Sequence, residues 1–98
     1  GIAINSIKTI EREFIRIVIG SLSNRQKKVL LYLVESEEEV SATKFIQGLM
    51  NGAGCSESTL WNVVRCLKKR GLVDFANGTK SIQLTVVGKI ISEKVKNG

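Results

Sequence analysis

The sequence predicts a mainly α domain that carries one small β-hairpin. Three observations lead there. Apolar residues recur at helical spacing through most of the chain, Ser and Thr stand where helix starts need them, and the period changes to two around Asn77-Gly78. Ninety-eight residues support one hydrophobic core, hence one domain spanning 1–98. By pattern it divides into an N-terminal helix (1–21), a core (22–85) and a C-terminal helix (86–98).

Ile7, Ile10, Phe14 and Ile17 recur at 3-4-3 spacing, with Ile15, Val18 and Leu22 beside them. They predict a helix with a wide apolar face from about Asn5 to Gly20. Ser23-Asn24-Arg25-Gln26 is an S-x-x-Q capping box, in which the Ser oxygen satisfies a free N–H and Gln reaches back. Val29, Leu30, Leu33 and Val34 give the buried face of the helix it opens, which ends near Ser36. Ser41 is the N-cap of a third helix, with Val40 and Phe45 at hydrophobic-staple spacing. Phe45, Ile46, Leu49 and Met50 are its apolar side, and Asn51-Gly52 is expected to stop it.

Ser56 opens a fourth helix, 56–70, with Gly71 past its end. At about 100° per residue, Leu60, Val63, Val64 and Leu67 share one side and must face the core. Ser58, Asn62, Arg65 and Lys69 form the opposite stripe, which holds no acid. A solvated helix usually mixes Glu with Lys for i, i+4 pairing, and this stripe does not. After Gly71, Val73 and Phe75 alternate with Asp74, and Ile82 and Leu84 alternate with Ser81 and Gln83. A two-residue turn at Asn77-Gly78 would set Val73 opposite Ile82. Thr85 then caps a last helix with Val87, Ile90, Ile91 and Val95 on one side.

Composition narrows the function. The chain has no His, which removes the commonest general base and the commonest metal ligand. Cys55 and Cys66 are eleven residues apart on one helix or its approach. That separates them by roughly 16 Å, beyond disulfide reach, and two Cys cannot close a zinc site. They read as two thiols of a reducing, cytoplasmic setting. No Ser/His or Cys/His pair, phosphate-binding loop or G-x-G-x-x-G occurs, so neither catalysis nor a cofactor or metal is expected. Glu35, Glu37, Glu38 and Glu39 read as a solvated connector. No apolar run approaches the roughly 18 residues of a membrane span, and no leader pattern opens the sequence. A start at Gly1 fits a processed chain or a domain cut from something longer.

Net charge is +6, placed unevenly. Residues 1–50 carry seven basic and six acidic side chains, whereas residues 51–98 carry eight and three. A one-sided positive field attracts phosphate polymers. Solubility alone also accounts for such a charge.

The order of elements, with Ser58-Thr59-Leu60, Leu67-Lys68-Lys69-Arg70-Gly71-Leu72-Val73 and Leu84-Thr85-Val86-Val87-Gly88, resembles the winged helix-turn-helix of MarR-like and PadR-like regulators. The likeness covers roughly residues 22–95 and leaves the first helix as an addition. It implies a sequence-preferring double-stranded DNA-binding transcription regulator, with helix 56–70 in the major groove and wing 72–85 on the backbone. Carried over, Ser56, Ser58 and Thr59 become phosphate or base-edge partners, Asn62 suits adenine and Arg65 guanine. Lys69, Lys44, Thr79 and Lys80 would meet the backbone. Trp61 stands where typical regulators carry a small polar residue; it either packs on its neighbours or stacks on the nucleic acid. Winged helices also serve as protein-contact modules of replication or transcription assemblies, with weak or no DNA binding, and that alternative stays open. A homodimer is expected through Ile7, Ile10, Phe14 and Ile17 of the first helix, joined by Ile90, Ile91 and Val95 of the last.

Overall fold

A computed structural model describes residues 2–36 and 38–97, so Glu37 of the acidic connector lies outside the described residues. In chain order it contains α1 (Ile2–Ser21), α2 (Asn24–Glu35), α3 (Ala42–Ala53), α4 (Glu57–Lys69), β1 (Val73–Asp74), β2 (Gln83–Leu84) and α5 (Val86–Asn97). This is the mainly α domain with a small hairpin that the sequence predicts.

Local chemistry sets the helix starts. Ser23 Oγ accepts from the Gln26 N–H at 3.1 Å while Gln26 Oε1 accepts from the Ser23 N–H at 2.8 Å, completing the capping box. Ser41 Oγ accepts from the Lys44 N–H at 3.2 Å, and Ser56 Oγ from the Thr59 N–H at 3.3 Å. α3 runs past Asn51-Gly52 and ends instead at Gly54, whose φ of 64° is left-handed. A left-handed residue after the last turn is the usual helix stop, and glycine takes it without strain.

The core collects one face from each of four helices. Leu30 of α2, Ile46 of α3, Leu60, Val64 and Leu67 of α4 and Ile91 of α5 are fully buried. α2 packs against α4 and α5, α3 against α4, and α1 against α5. Ile15, Val18 and Ile19 turn α1 toward this core, whereas Ile7, Ile10, Phe14 and Ile17 are 54–68% exposed. α1 therefore has two apolar sides, and the domain covers one.

Two further expectations need correction. Val73 pairs with Leu84 and Asp74 with Gln83, so the hairpin register differs by two from the Val73–Ile82 pairing read from the sequence. The tight two-residue turn needs positive φ at both central positions, and among the described residues only Gly54 and Gly71 have it. Asn77 Oδ1 instead accepts from the Thr79 N–H (2.9 Å) and hydroxyl (2.6 Å), building a side-chain turn. The returning arm finds another partner. Ala42 N–H donates to Lys80 O, Thr43 N–H to Gly78 O and Ile82 N–H to Val40 O, with Ser41 bridged to Ser81. A shift of two preserves the faces, so Val73 and Ile82 are still buried and Phe75 and Leu84 half-buried. The second correction concerns the last helix. Ile91 is fully buried and Val95 packs half-buried against the core, leaving Ile90 and Val87 on the exposed side. Ile91 is thus core and not part of an association surface, because the α5 face is rotated toward α2.

α5 begins in a close junction. Thr85 Oγ1 accepts from the Gly88 N–H at 3.0 Å and donates to Gly71 O, while the Thr85 N–H donates to Leu72 O at 3.1 Å. A Cβ on Gly88 would lie 1.8 Å from the Leu72 carbonyl oxygen and 2.8 Å from its carbon. No side chain fits without moving backbone. Gly88→Ala is therefore expected to destabilise the domain by about 3 kcal/mol, the upper part of the overpacking range. Gly20→Ala, where nothing lies within 4 Å of the added carbon, should be neutral or stabilising by roughly 0.5–1 kcal/mol. Urea denaturation of both variants checks this; equal midpoints would contradict it.

Candidate nucleic-acid interface

With Leu60, Val64 and Leu67 committed to the core, geometry turns the opposite side of α4 to solvent. Ser58, Asn62, Arg65 and Lys69 are all exposed on it. Among the described residues no carboxylate lies within ion-pair distance of Arg65, Lys69, Lys44 or Lys80. The cations are therefore not neutralised by the protein itself. Lys68 and Lys69 stand in the last turn of α4, where the helix dipole favours them.

The start of α4 is more occupied than the sequence suggests. Ser56 Oγ caps the helix and also lies 2.8 Å from Thr59 Oγ1, so the two hydroxyls satisfy each other. Ser56 stays exposed and Thr59 is half-buried.

Lys44 lies in the first turn of α3, exposed, and lines one open groove with Glu38, Glu39, Thr43, Gln47, Gly78 and Thr79. The structure thus brings Lys44 to the wing tip. Thr79 and Lys80 are exposed, the Thr79 hydroxyl being held by Asn77. The small tip does not stand clear of the protein. A Cβ on Gly78 would lie 2.7 Å from Thr43 Oγ1 and 3.6 Å from Trp61 Cη2. Its smallness serves packing against α3 and α4.

Trp61 fills the angle between recognition stripe and wing. Its ring is tilted 56° to Phe75 at 6.1 Å, its indole N–H donates to Glu57 Oε1 at 3.4 Å, and the Arg65 guanidinium carbon lies 5.7 Å from the ring. Packing is therefore what Trp61 does here. Lys68, though exposed, has its ammonium engaged: it donates to Phe75 O and lies 4.6 Å from the centroid of that ring.

Two cations were missed by sequence reasoning. Arg25 and Lys28 of α2 line a small cleft with Tyr32, Gly54 and Cys55, beside the turn that leads into α4. Their signal was the Arg25/Lys27/Lys28 run next to the capping box, which was read only as a helix start. Cys55 and Cys66 form no disulfide. Among the described residues no cluster of three or more His, Cys, Asp or Glu could hold a metal ion, and no helix is long and apolar enough to cross a membrane.

No protein-family model and no curated protein sequence matches the chain. Solved structures do. CouR from Rhodococcus jostii RHA1, solved with p-coumaroyl-CoA, superposes with a TM-score of 0.65 at 26% identity, over 85% of this chain and 56% of CouR. A MarR family protein of Mycobacterium tuberculosis gives 0.61 at 16% identity, over 99% of this chain and 70% of that one. MepR, a transcription regulator of the Staphylococcus aureus multidrug efflux pump MepA, gives 0.62 at 19% identity, over 93% and 71%. The fold is a MarR-like winged helix-turn-helix. In this fold α3, the turn after it and α4 make up the helix-turn-helix, and the β1–β2 hairpin is the wing. This chain spans little more than half of CouR, so the MarR-like likeness is one of fold and of the helix-turn-helix region.

Proposed function

We propose that this chain is a cytoplasmic, double-stranded DNA-binding transcription regulator that reads a preferred sequence with α4 in the major groove. The observation that carries the reading is the acid-free exposed stripe of Ser58, Asn62, Arg65 and Lys69, on the helix that the MarR-like fold uses for recognition. Asn62 offers paired donor and acceptor for adenine, and Arg65 a two-pronged donor for guanine. Lys69, Lys44 and Lys80 meet phosphate, Thr79 and Ser58 add hydrogen bonds, and Arg25 and Lys28 extend the cationic border on the α2 side. Ser56 and Thr59 contribute chiefly by holding the helix start. The fold also supports pairing of two copies through the exposed strip Ile7, Ile10, Phe14 and Ile17 with Ile90 and the rim of Val95. Two-fold pairing presents recognition helices to successive major grooves and adds effective concentration to a small module.

Duplex binding should weaken steeply with salt, as counterion release requires. The double variant Lys69→Glu/Lys80→Glu should bind all sequences more weakly while keeping its fold. Unchanged affinity with intact circular dichroism would refute the DNA reading and favour a protein-contact module.

Base reading separates from phosphate contact in a second experiment. On a site selected from a random pool, Asn62→Ala or Arg65→Ala should each cost ~1–3 kcal/mol, with little loss on random duplex. Equal losses on both duplexes would place these side chains on the backbone only.

Light scattering at micromolar concentration should give twice the 10.8 kDa chain mass. Ile10→Lys/Phe14→Lys should yield a folded monomer that binds DNA far more weakly; a wild-type mass of one chain would reject the dimer.

A further inference from the structure

Trp61 has no role in the proposed reading, yet it touches Arg65 of the stripe and Phe75 of the wing. We infer that Trp61 is a positioning residue for base reading: its ring holds the Arg65 guanidinium and ties that hold to the wing, so that discrimination between sequences depends on it while attraction to phosphate does not. The inference rests on the proposed DNA reading and adds to it.

The geometry supplies the reason. An exposed Arg without a carboxylate partner samples many rotamers, and each must be surrendered when it grips a base. The Trp61 face, 5.7 Å from the Arg65 guanidinium carbon, removes part of that freedom beforehand through a cation–π contact. The ring can do this only if it is itself fixed, and three contacts fix it. Glu57 accepts its indole N–H at 3.4 Å, Phe75 of the wing packs against it at 6.1 Å, and the Gly78 backbone lies close to its outer edge. Gly78 in turn accepts the Thr43 N–H at 3.0 Å, so the wing tip that presses on Trp61 is anchored to α3. Arg65 is thereby aimed by three elements and not by α4 alone. Lys69, Lys80 and Lys44 make no ring contact with Trp61. Their contribution to affinity should be blind to its loss.

The experiment compares wild type, Trp61→Leu, Trp61→Phe, Arg65→Ala and the double variant Trp61→Leu/Arg65→Ala. Each is titrated at fixed salt on a selected duplex and on random duplex, with thermal melts of every protein. Trp61→Leu is expected to lower the ratio of selected to random affinity by roughly three- to tenfold, between a cation–π contact and a base contact in size. Random-duplex affinity and its salt slope should not move, and Trp61→Phe should restore most of the ratio. Arg65→Ala should cost less in the Trp61→Leu background than in wild type, the mark of coupled residues. If Arg65→Ala lowers the ratio while Trp61→Leu leaves it unchanged, if the two losses simply add, or if Trp61→Phe loses as much as Trp61→Leu, the positioning role is overturned and the DNA reading stands. If Arg65→Ala also leaves the ratio unchanged, both fall. Should Trp61→Leu not melt cooperatively, the emission of this sole tryptophan decides. Arg65→Ala must shift it in the free protein, and selected duplex must change it more than random duplex; equal responses overturn the inference.

Discussion

At Gly88 the first turn of α5 lies so near the Leu72 backbone that a methyl group would sit 1.8 Å from the carbonyl oxygen. Around this contact Thr85 bonds to both Gly71 and Leu72, and the buried Ser92 hydroxyl donates to Gly88 O at 2.6 Å. Gly71, at φ 77°, turns the chain out of α4, so fixing Leu72 fixes where the wing leaves α4. Thr85 closes the return of the wing, so both ends of residues 72–85 are clamped in one cluster. One turn further along α5, Ile91 is already fully buried, and the rest of that helix can lie along α2 and α1. α4, the wing and α5 therefore share one origin.

A wing clamped at its base could still wave at its tip, and here it does not stand alone. The strand pairing of residues 40–43 with 78–82 fastens the tip to the start of α3, and Trp61 and Phe75 fill the space behind it. Among the described residues no acid pairs with the cations of the stripe. Glu57 is occupied with the Trp61 indole, and Arg65, Lys69 and Lys80 keep no carboxylate partner among the described residues. Anchored placement with unpaired cations is the arrangement that the proposed contact with a polyanion requires.

What the sequence revealed and what it hid follow from the range of the interactions. Ser23, Ser41, Ser56 and Thr85 were legible as caps, because a cap is decided within four residues. The two faces of α4 were legible because helical period sorts Leu60, Val64 and Leu67 from Asn62, Arg65 and Lys69 without reference to the rest of the chain. The hairpin register was not. Asn77-Gly78 is a strong local turn signal, but residues 78–82 pair with a segment nearly forty positions earlier, and that long-range ladder overrides the local preference. Ile91 was misplaced for the same reason, since period alone cannot say which of two adjacent apolar positions on α5 meets α2. The withdrawal of Lys68 onto Phe75 and the approach of Arg25 and Lys28 to the start of α4 are products of tertiary placement, with no sequence period to betray them.

α1 carries more apolar surface than one domain covers. Ile15, Val18 and Ile19 face the core, while Ile7, Ile10, Phe14 and Ile17 lie roughly a third of a turn away around the axis. A single strip is enough to dock α1 on α5, so the second strip adds nothing to the fold of one chain. Each of its large side chains would contribute about 1–2 kcal/mol if a partner covered what is now exposed. The two strips adjoin, and covering the second would leave Ile15, Val18 and Ile19 against the core. The proposed association through this strip would therefore change DNA affinity by joining two modules, and not by reshaping α4 and the wing within each.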